Sequence, residues 1–204
     1  MAGHGHHARF AAAAGDLANV INRPAPAPAV LELDGFSWRD ARSEDAEVLE
    51  RLAAVGSNRP LFQLPMFTAE FMRAPSRPGF RQSMLCYHGE KEFGAAAYGM
   101  RNMQNLNVRL TCFFTEPARA AAALAIYVRH LFWGMPVHRI HAQLPVVDAG
   151  PAYVSLLRAV GFREEGVVRA HALMRGQSCD LAVLGVVREE FEAWCQTNER
   201  RLAI

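Results

Sequence analysis

The side chains able to move protons in this chain are scattered, and their spacing alone names no reaction. Glu92, His88 and Glu116 could each act as a general base, directly or through a water, while His141 sits on a strand face opposite Ile140. Tyr153 carries a phenol on the apolar stripe of a short helix, where a tyrosine packs its ring and keeps its hydroxyl at the edge. The sequence has no Gly-x-Ser-x-Gly elbow, no Walker loop and no His-Glu-x-x-His pair, which removes the usual nucleophilic and zinc hydrolases. Cys86, Cys112, Cys179 and Cys195 lie far apart with no Cys-x-x-Cys pair, so they read as free thiols of a reducing compartment. His4, His6 and His7 cluster at the start. With Met1 removed, Ala2-Gly3-His4 would suit square-planar copper or nickel, but a solvated tail explains them as well and no metal site is assigned.

The elements that must position such groups follow from periodicity. Leu106, Val108, Leu110, Cys112 and Phe114 alternate with Asn107, Arg109, Thr111 and Phe113, a period of two that predicts a strand with one buried face. Thr115 offers an N-cap hydroxyl, and Pro117 sits where a first helical turn tolerates proline. From Ala118 the period becomes 3.6, with Leu124, Tyr127, Val128, Leu131 and Phe132 on one stripe, until Gly134 and Pro136 end the helix. A strand over His138 to Leu144 follows. After it comes a short helix with Tyr153, Leu156, Leu157 and Val160 inward, closed by Gly161-Phe162.

Upstream, Phe36 to Arg39 reads as a first strand, and Ser43 caps an acid-rich helix with Val48, Leu49, Leu52 and Val55 inward and Gly56 at its end. Residues 57–81 are rich in Pro, Arg, Phe and Met. Phe62, Phe67, Phe71 and Phe80 there either line a pocket or simply pack. Ser83 to His88 and Glu92 to Met100 form a hairpin across Gly89. The small side chains Gly94 to Ala97 point to close packing by a helix or to a ligand. Downstream, Glu165 to Val168 begins a strand, Asp180 to Val187 reads as an apolar strand covered on both faces, and Arg188 to Cys195 begins a last helix.

"VHRIHAQLP", the short helix, and then "LLRAVGFREEGVVRAHALMRGQSCDLAVLGVVREEF" resemble the GNAT superfamily of N-acyltransferases, nearest the branch that acetylates protein N-termini, ribosomal proteins included. The likeness covers roughly residues 36 to 194 and is most specific from Val137 onward. It implies an α/β fold: a mixed, twisted sheet of about six or seven strands with helices on both faces. It also implies that the central strands splay after Phe114 to open a cleft for a pantetheine arm. The activity implied is transfer of an acyl group, acetyl first among them, from acetyl-CoA or another acyl-CoA to a primary amine of a peptide N-terminus or a small molecule.

Such chemistry needs donors for the pyrophosphate at a helix N-terminus, a base for the amine, and stabilisation of the departing thiolate. The family's phosphate turn falls on Thr115-Glu116-Pro117-Ala118-Arg119-Ala120, after Phe113 and Phe114. Ala120 fits the pattern. Thr115 replaces an Arg or Gln, and Ala118 replaces a Gly, adding a methyl where backbone should approach phosphate and disfavouring a positive φ. Pro117 removes an N–H donor, Glu116 adds a negative charge, and Arg119 is the compensating cation. The family's Asn falls on Gly150, or on Asp148 in a shifted register, and its Ser on Tyr153. The family's usual acid, a tyrosine, falls on Leu157. Tyr153 is one helical turn away on the same stripe, so it is the candidate general acid, and Glu92 is the first candidate base.

These departures keep two other readings open: a GNAT-like binding protein without catalysis, and an acyltransferase fed by a carrier-bound donor that lacks the adenosine diphosphate. Residues 1–30 read as a flexible Ala-, His- and Pro-rich segment and linker, and 31–204 as one domain. A formal net charge of +2 gives no field for nucleic acid, and no apolar run approaches a membrane span. With no secretory signal, the expected location is the cytoplasm. Val137 to Leu144 and the last apolar strand offer an edge for a homodimer.

Overall fold

Alternation along the central strand sets the layering. In the computed structural model, Asn107–Phe114 buries Val108, Leu110, Cys112 and Phe114, as the period of two requires, and Phe113 on the other face as well. The structure describes residues 31–33, 35–55, 81–102, 105–146, 150–174 and 176–202. The expectations for the first thirty residues, for Gly56, for Phe62, Phe67, Phe71 and Phe80, and for Asp148 concern residues outside these.

The strands are β1 (Leu31–Leu33), β2 (Phe36–Asp40), β3 (Arg81–His88), β4 (Lys91–Asn102), β5 (Asn107–Phe114), β6 (Arg139–Pro145), β7 (Arg163–Met174) and β8 (Gln177–Val187). The helices are α1 (Ala46–Ala54), α2 (Ala121–Gly134), α3 (Gly150–Ala159) and α4 (Arg188–Leu202). One sheet of eight strands runs β1-β2-β3-β4-β5-β6-β8-β7. The strand beyond the expected six or seven is the three-residue β1, which turns back onto β2 through Gly35 at φ +76°. Among the described pairings only β5 with β6 is parallel, joined by the crossover through α2.

Helices cover both faces. Trp38 and Arg39 are neighbours on β2 and so point to opposite sides. The Trp38 indole donates to the Ala123 carbonyl at 3.0 Å and stacks on Tyr127 at 4.9 Å, which sets α2 on one face. Arg39 reaches Asp45, just before α1, on the other. α4 packs beside α2 through Phe191 and Phe132, ring centres 5.4 Å apart. Leu49, Leu52 and Ala53 are the buried face of α1, and α2 is buried continuously from Ala123 to Val128.

Several local expectations change. The helix near Ser43 opens with a 3-10 turn, Ser43–Asp45, capped at Arg42, and α1 follows from Ala46. Asp45 organises that start by accepting the Arg42 N–H at 2.8 Å. Gly94 is small because the neighbouring strand approaches it, rather than a helix. A Cβ there would lie 2.4 Å from the Phe114 ring and 2.6 Å from the Phe113 carbonyl oxygen. β6 and β8 are interior strands, so the stretches expected to offer a dimer edge do not lie at an edge; β1 and β7 do. All four cysteines are free, Cys86 and Cys112 buried and Cys179 and Cys195 partly so. Among the described residues, no helix is long and apolar enough to cross a membrane, and no three His, Cys, Asp or Glu side chains gather as metal ligands.

Candidate active site

β5 and β6 pair from Asn107–Arg139 to Leu110–Ala142 and then part. β5 runs on to Phe114 beside β4, and β6 runs on to Pro145 beside β8. The expected splay is therefore present, but it opens at Leu110 rather than after Phe114, so the last turns of β5 already line the gap. The register explains which groups face it. The Thr115 N–H bonds the Phe93 carbonyl at 2.9 Å, toward β4. Successive residues of a strand aim their peptide groups to opposite sides, so those of Cys112 and Phe114 face the gap.

Tyr153 closes that gap from α3. Its hydroxyl accepts the Phe114 N–H at 2.8 Å and donates to the Phe114 carbonyl oxygen at 3.4 Å. The side chain is 0% exposed. Burial pushes its hydroxyl well above the usual phenol range, the Phe114 N–H opposing this, so Tyr153 is a neutral phenol here and a weaker acid than a solvated tyrosine. Leu157, one turn on, is buried and apolar. Phe113 and Phe114 themselves sit in the core. The Phe114 ring meets Trp38 edge-on at 6.2 Å, so Phe114 offers the gap its backbone rather than its ring.

The turn that follows differs from the expectation. Thr115 does not cap a helix: its hydroxyl donates to the Phe93 carbonyl at 3.1 Å, extending the β4–β5 ladder. Pro117–Arg119 forms a 3-10 turn, and α2 begins only at Ala121. The reason is local: Pro117 fixes a helical φ at the first position, and Ala118 continues it. Ala118 does not take a positive φ, as its side chain disfavours; the positive-φ non-glycine residues described are Leu106 and Ala170. The turn spends two amides on itself, Arg119 N–H to Glu116 O at 3.0 Å and Ala120 N–H to Pro117 O at 3.2 Å. The first bond of α2 runs from Leu124 N–H to the buried Ala120, leaving Ala121 to Ala123 as the amides of the open first turn. Arg119 pairs with Glu116 at 3.1 Å, both more than half exposed, so the cation offsets the acid and the turn is neutral.

Gly150 opens α3 against β6. A Cβ there would lie 2.8 Å from the Pro145 carbonyl oxygen, so the position that the resemblance gives to Asn admits no side chain without a shift. Glu92 lies at the same end of the sheet as Phe114, but on the α1 side, where Arg51 holds its carboxylate at 2.5 Å. The His88 ring lies tilted against Phe36, centres 4.7 Å apart, and His141 bonds Asn107 at 2.9 Å within the paired part of β5 and β6. The structure thus gathers Phe114, Thr115, the turn and Tyr153 at one mouth, and leaves His88 and His141 in other settings. Two contributors escaped the sequence. Phe93 is the extra residue of a bulge, since Cys86 pairs Gly94 while Tyr87 pairs Glu92, and it anchors Thr115. A glycine inside a strand was its available signal. Arg51 gave none, being one more basic residue on an exposed helix face.

No family model matches the chain, and no curated protein matches it in sequence. Solved structures do match, and they define the class: the fold is that of the GNAT acetyltransferases. A GCN5-related N-acetyltransferase from Brucella melitensis superposes with a TM-score of 0.68 at 16% identity, over 88% of this chain and 87% of that one. RimL, a ribosomal-protein alpha-N-acetyltransferase solved with coenzyme A, gives 0.66 at 13% identity, over 78% of this chain and 97% of that one. A spermidine N-acetyltransferase from Vibrio cholerae, solved with coenzyme A and spermine, gives 0.62 at 13%, over 78% and 98%. At such identities the likeness is one of fold.

Proposed function

We propose that the protein is an acyl-CoA-dependent N-acyltransferase, with acetyl-CoA as donor and a primary amine of a peptide N-terminus or a small molecule as acceptor. The observation that carries this reading is the parting of parallel β5 and β6 at Leu110, which leaves inward-facing peptide groups just before a helix start. An extended arm bearing amides can add there as a strand adds to a sheet. The open-turn amides of Ala121 to Ala123 are the donors this reading assigns to the pyrophosphate. Solved proteins of this fold include acetyltransferases of ribosomal protein and of spermidine, which supports an amine acceptor.

In the reaction the acceptor nitrogen bonds the thioester carbon, the carbon–sulfur bond breaks, and the sulfur takes a proton. Tyr153, a neutral phenol at the mouth of the gap, is the proposed source of that proton. Glu92 serves as base only after leaving Arg51, so a water is the more direct route for the amine proton.

The self-bonded turn favours a second reading, a carrier-bound donor or a binding role, because it spends two amides that a phosphate would use. Comparing acetyl-CoA with acetyl-pantetheine, against a panel of peptides with free N-termini and polyamines, tests both. Transfer from acetyl-CoA that is markedly faster than from acetyl-pantetheine supports the first reading. Equal rates favour the carrier-bound donor, and no transfer from either favours binding.

A further inference from the structure

We propose that Tyr153 is a placeholder in the cleft: in the free protein its hydroxyl occupies the backbone site on Phe114 that the cosubstrate's arm must take. This rests on the acyl-CoA reading given above.

Phe114 is 0% exposed, so its gap-facing N–H has no water to turn to once β6 has parted from β5. A buried peptide N–H must find a partner. Tyr153, reaching across from α3, supplies it at 2.8 Å. The contact therefore substitutes for the ladder bond that β6 no longer makes, and it holds the gap filled when nothing is bound. An amide arm entering between β5 and β6 would claim the same N–H. One N–H does not serve two acceptors at full strength, so the arm displaces the tyrosine. Once released, the phenol lies beside the arm with its own O–H no longer turned to the Phe114 carbonyl, and it turns that O–H to the departing sulfur. Cosubstrate entry and availability of the proton donor are thereby coupled through one hydrogen bond. Leu157, one turn further along α3, has no group with which to take the Phe114 N–H in its place.

The test follows the Phe114 amide by hydrogen exchange in the unaltered protein and in Tyr153→Phe, with calorimetric titration of each by coenzyme A. The placeholder predicts faster exchange at Phe114 in free Tyr153→Phe, with protection restored by coenzyme A. It also predicts about fivefold tighter coenzyme A binding, the factor that one hydrogen bond of ordinary strength represents, and a lower kcat despite that tighter binding. Unchanged protection at Phe114 in the variant, or binding no tighter than before, overturns the placeholder and leaves the acyl-CoA reading intact. Absence of coenzyme A binding in both proteins overturns that reading and the placeholder together. A measurement on the unaltered protein covers the case in which the variant does not fold: the Tyr153 ring resonances should move as coenzyme A saturates the site. Resonances that stay fixed at saturation overturn the proposal.

Discussion

Two buried polar residues bound what this core tolerates. The Tyr127 hydroxyl is buried with no hydrogen-bond partner among the described residues, while its ring stacks on Trp38. An unpaired buried hydroxyl costs about 1–3 kcal/mol, so Tyr127→Phe, which keeps the ring, is expected to raise stability by about 1 kcal/mol. Urea unfolding measures it, and a loss of stability would mean that the hydroxyl has an internal partner such as a water. Asp45 is the opposite case. It accepts two bonds from the Arg39 guanidinium, each at 2.7 Å, and the Arg42 N–H, and Arg39 holds its carboxyl below the usual range. A depressed carboxyl contributes stability above its unfolded pKa and loses it as pH falls through the folded one. Asp45→Asn should therefore cost about 2 kcal/mol at neutral pH, with the gap from the unaltered protein closing in acid. A gap independent of pH would show that shape rather than charge is at work. At this scale the sequence was informative where chemistry is local and silent where it is not. Tyr153 could be named from its stripe and its distance to Gly161, but its bond to Phe114 depends on how far β6 has parted, which no local pattern encodes.

Elements show why the site has its form. The β4 bulge at Phe93, Gly94 pressed against Phe114, and the Thr115 bonds to Phe93 fix the end of β5 before the turn begins. Gly150 does the same for α3 by letting it start hard against Pro145. Gly150→Asn, which supplies the residue that the resemblance gives this position, is expected to destabilise by about 1–3 kcal/mol, as an overpacked site does, and to weaken coenzyme A binding rather than improve it. Thermal unfolding with a binding titration decides it; a stable variant with tighter binding would mean that α3 can shift to admit the side chain. Ala118→Gly should likewise leave coenzyme A affinity unchanged, because removing a methyl does not free the Arg119 and Ala120 amides, and titration of that variant checks it. Strand β5 and helix α2 were legible because β5 buries an alternating face and α2 a broad apolar stripe, each at its own period. The 3-10 turn between them was not, because Thr115 obeys the β4 ladder more than its own capping propensity.

Across the whole molecule, the order of the last strands separates what sequence pattern can and cannot give. The apolar runs of β6 and β8 arise because both are interior strands. The charged run Arg163-Glu164-Glu165 belongs to the true edge, β7, whose residues are exposed almost throughout, as edge strands protected by charge are. Arg139 forks onto Glu165 across Gly185, tying β6 to that edge where a Cβ would lie 2.5 Å from the Glu165 carboxylate. Around this frame the sheet stays closed at one end and opens at Leu110 at the other, and the proposed acyl transfer rests on that opening. Calorimetric titration of the protein with acetyl-CoA tests this most directly. One molecule bound per chain, at an affinity of about 1 μM to 1 mM as working enzymes show for their substrates, is the predicted result. No heat of binding at millimolar acetyl-CoA would contradict it.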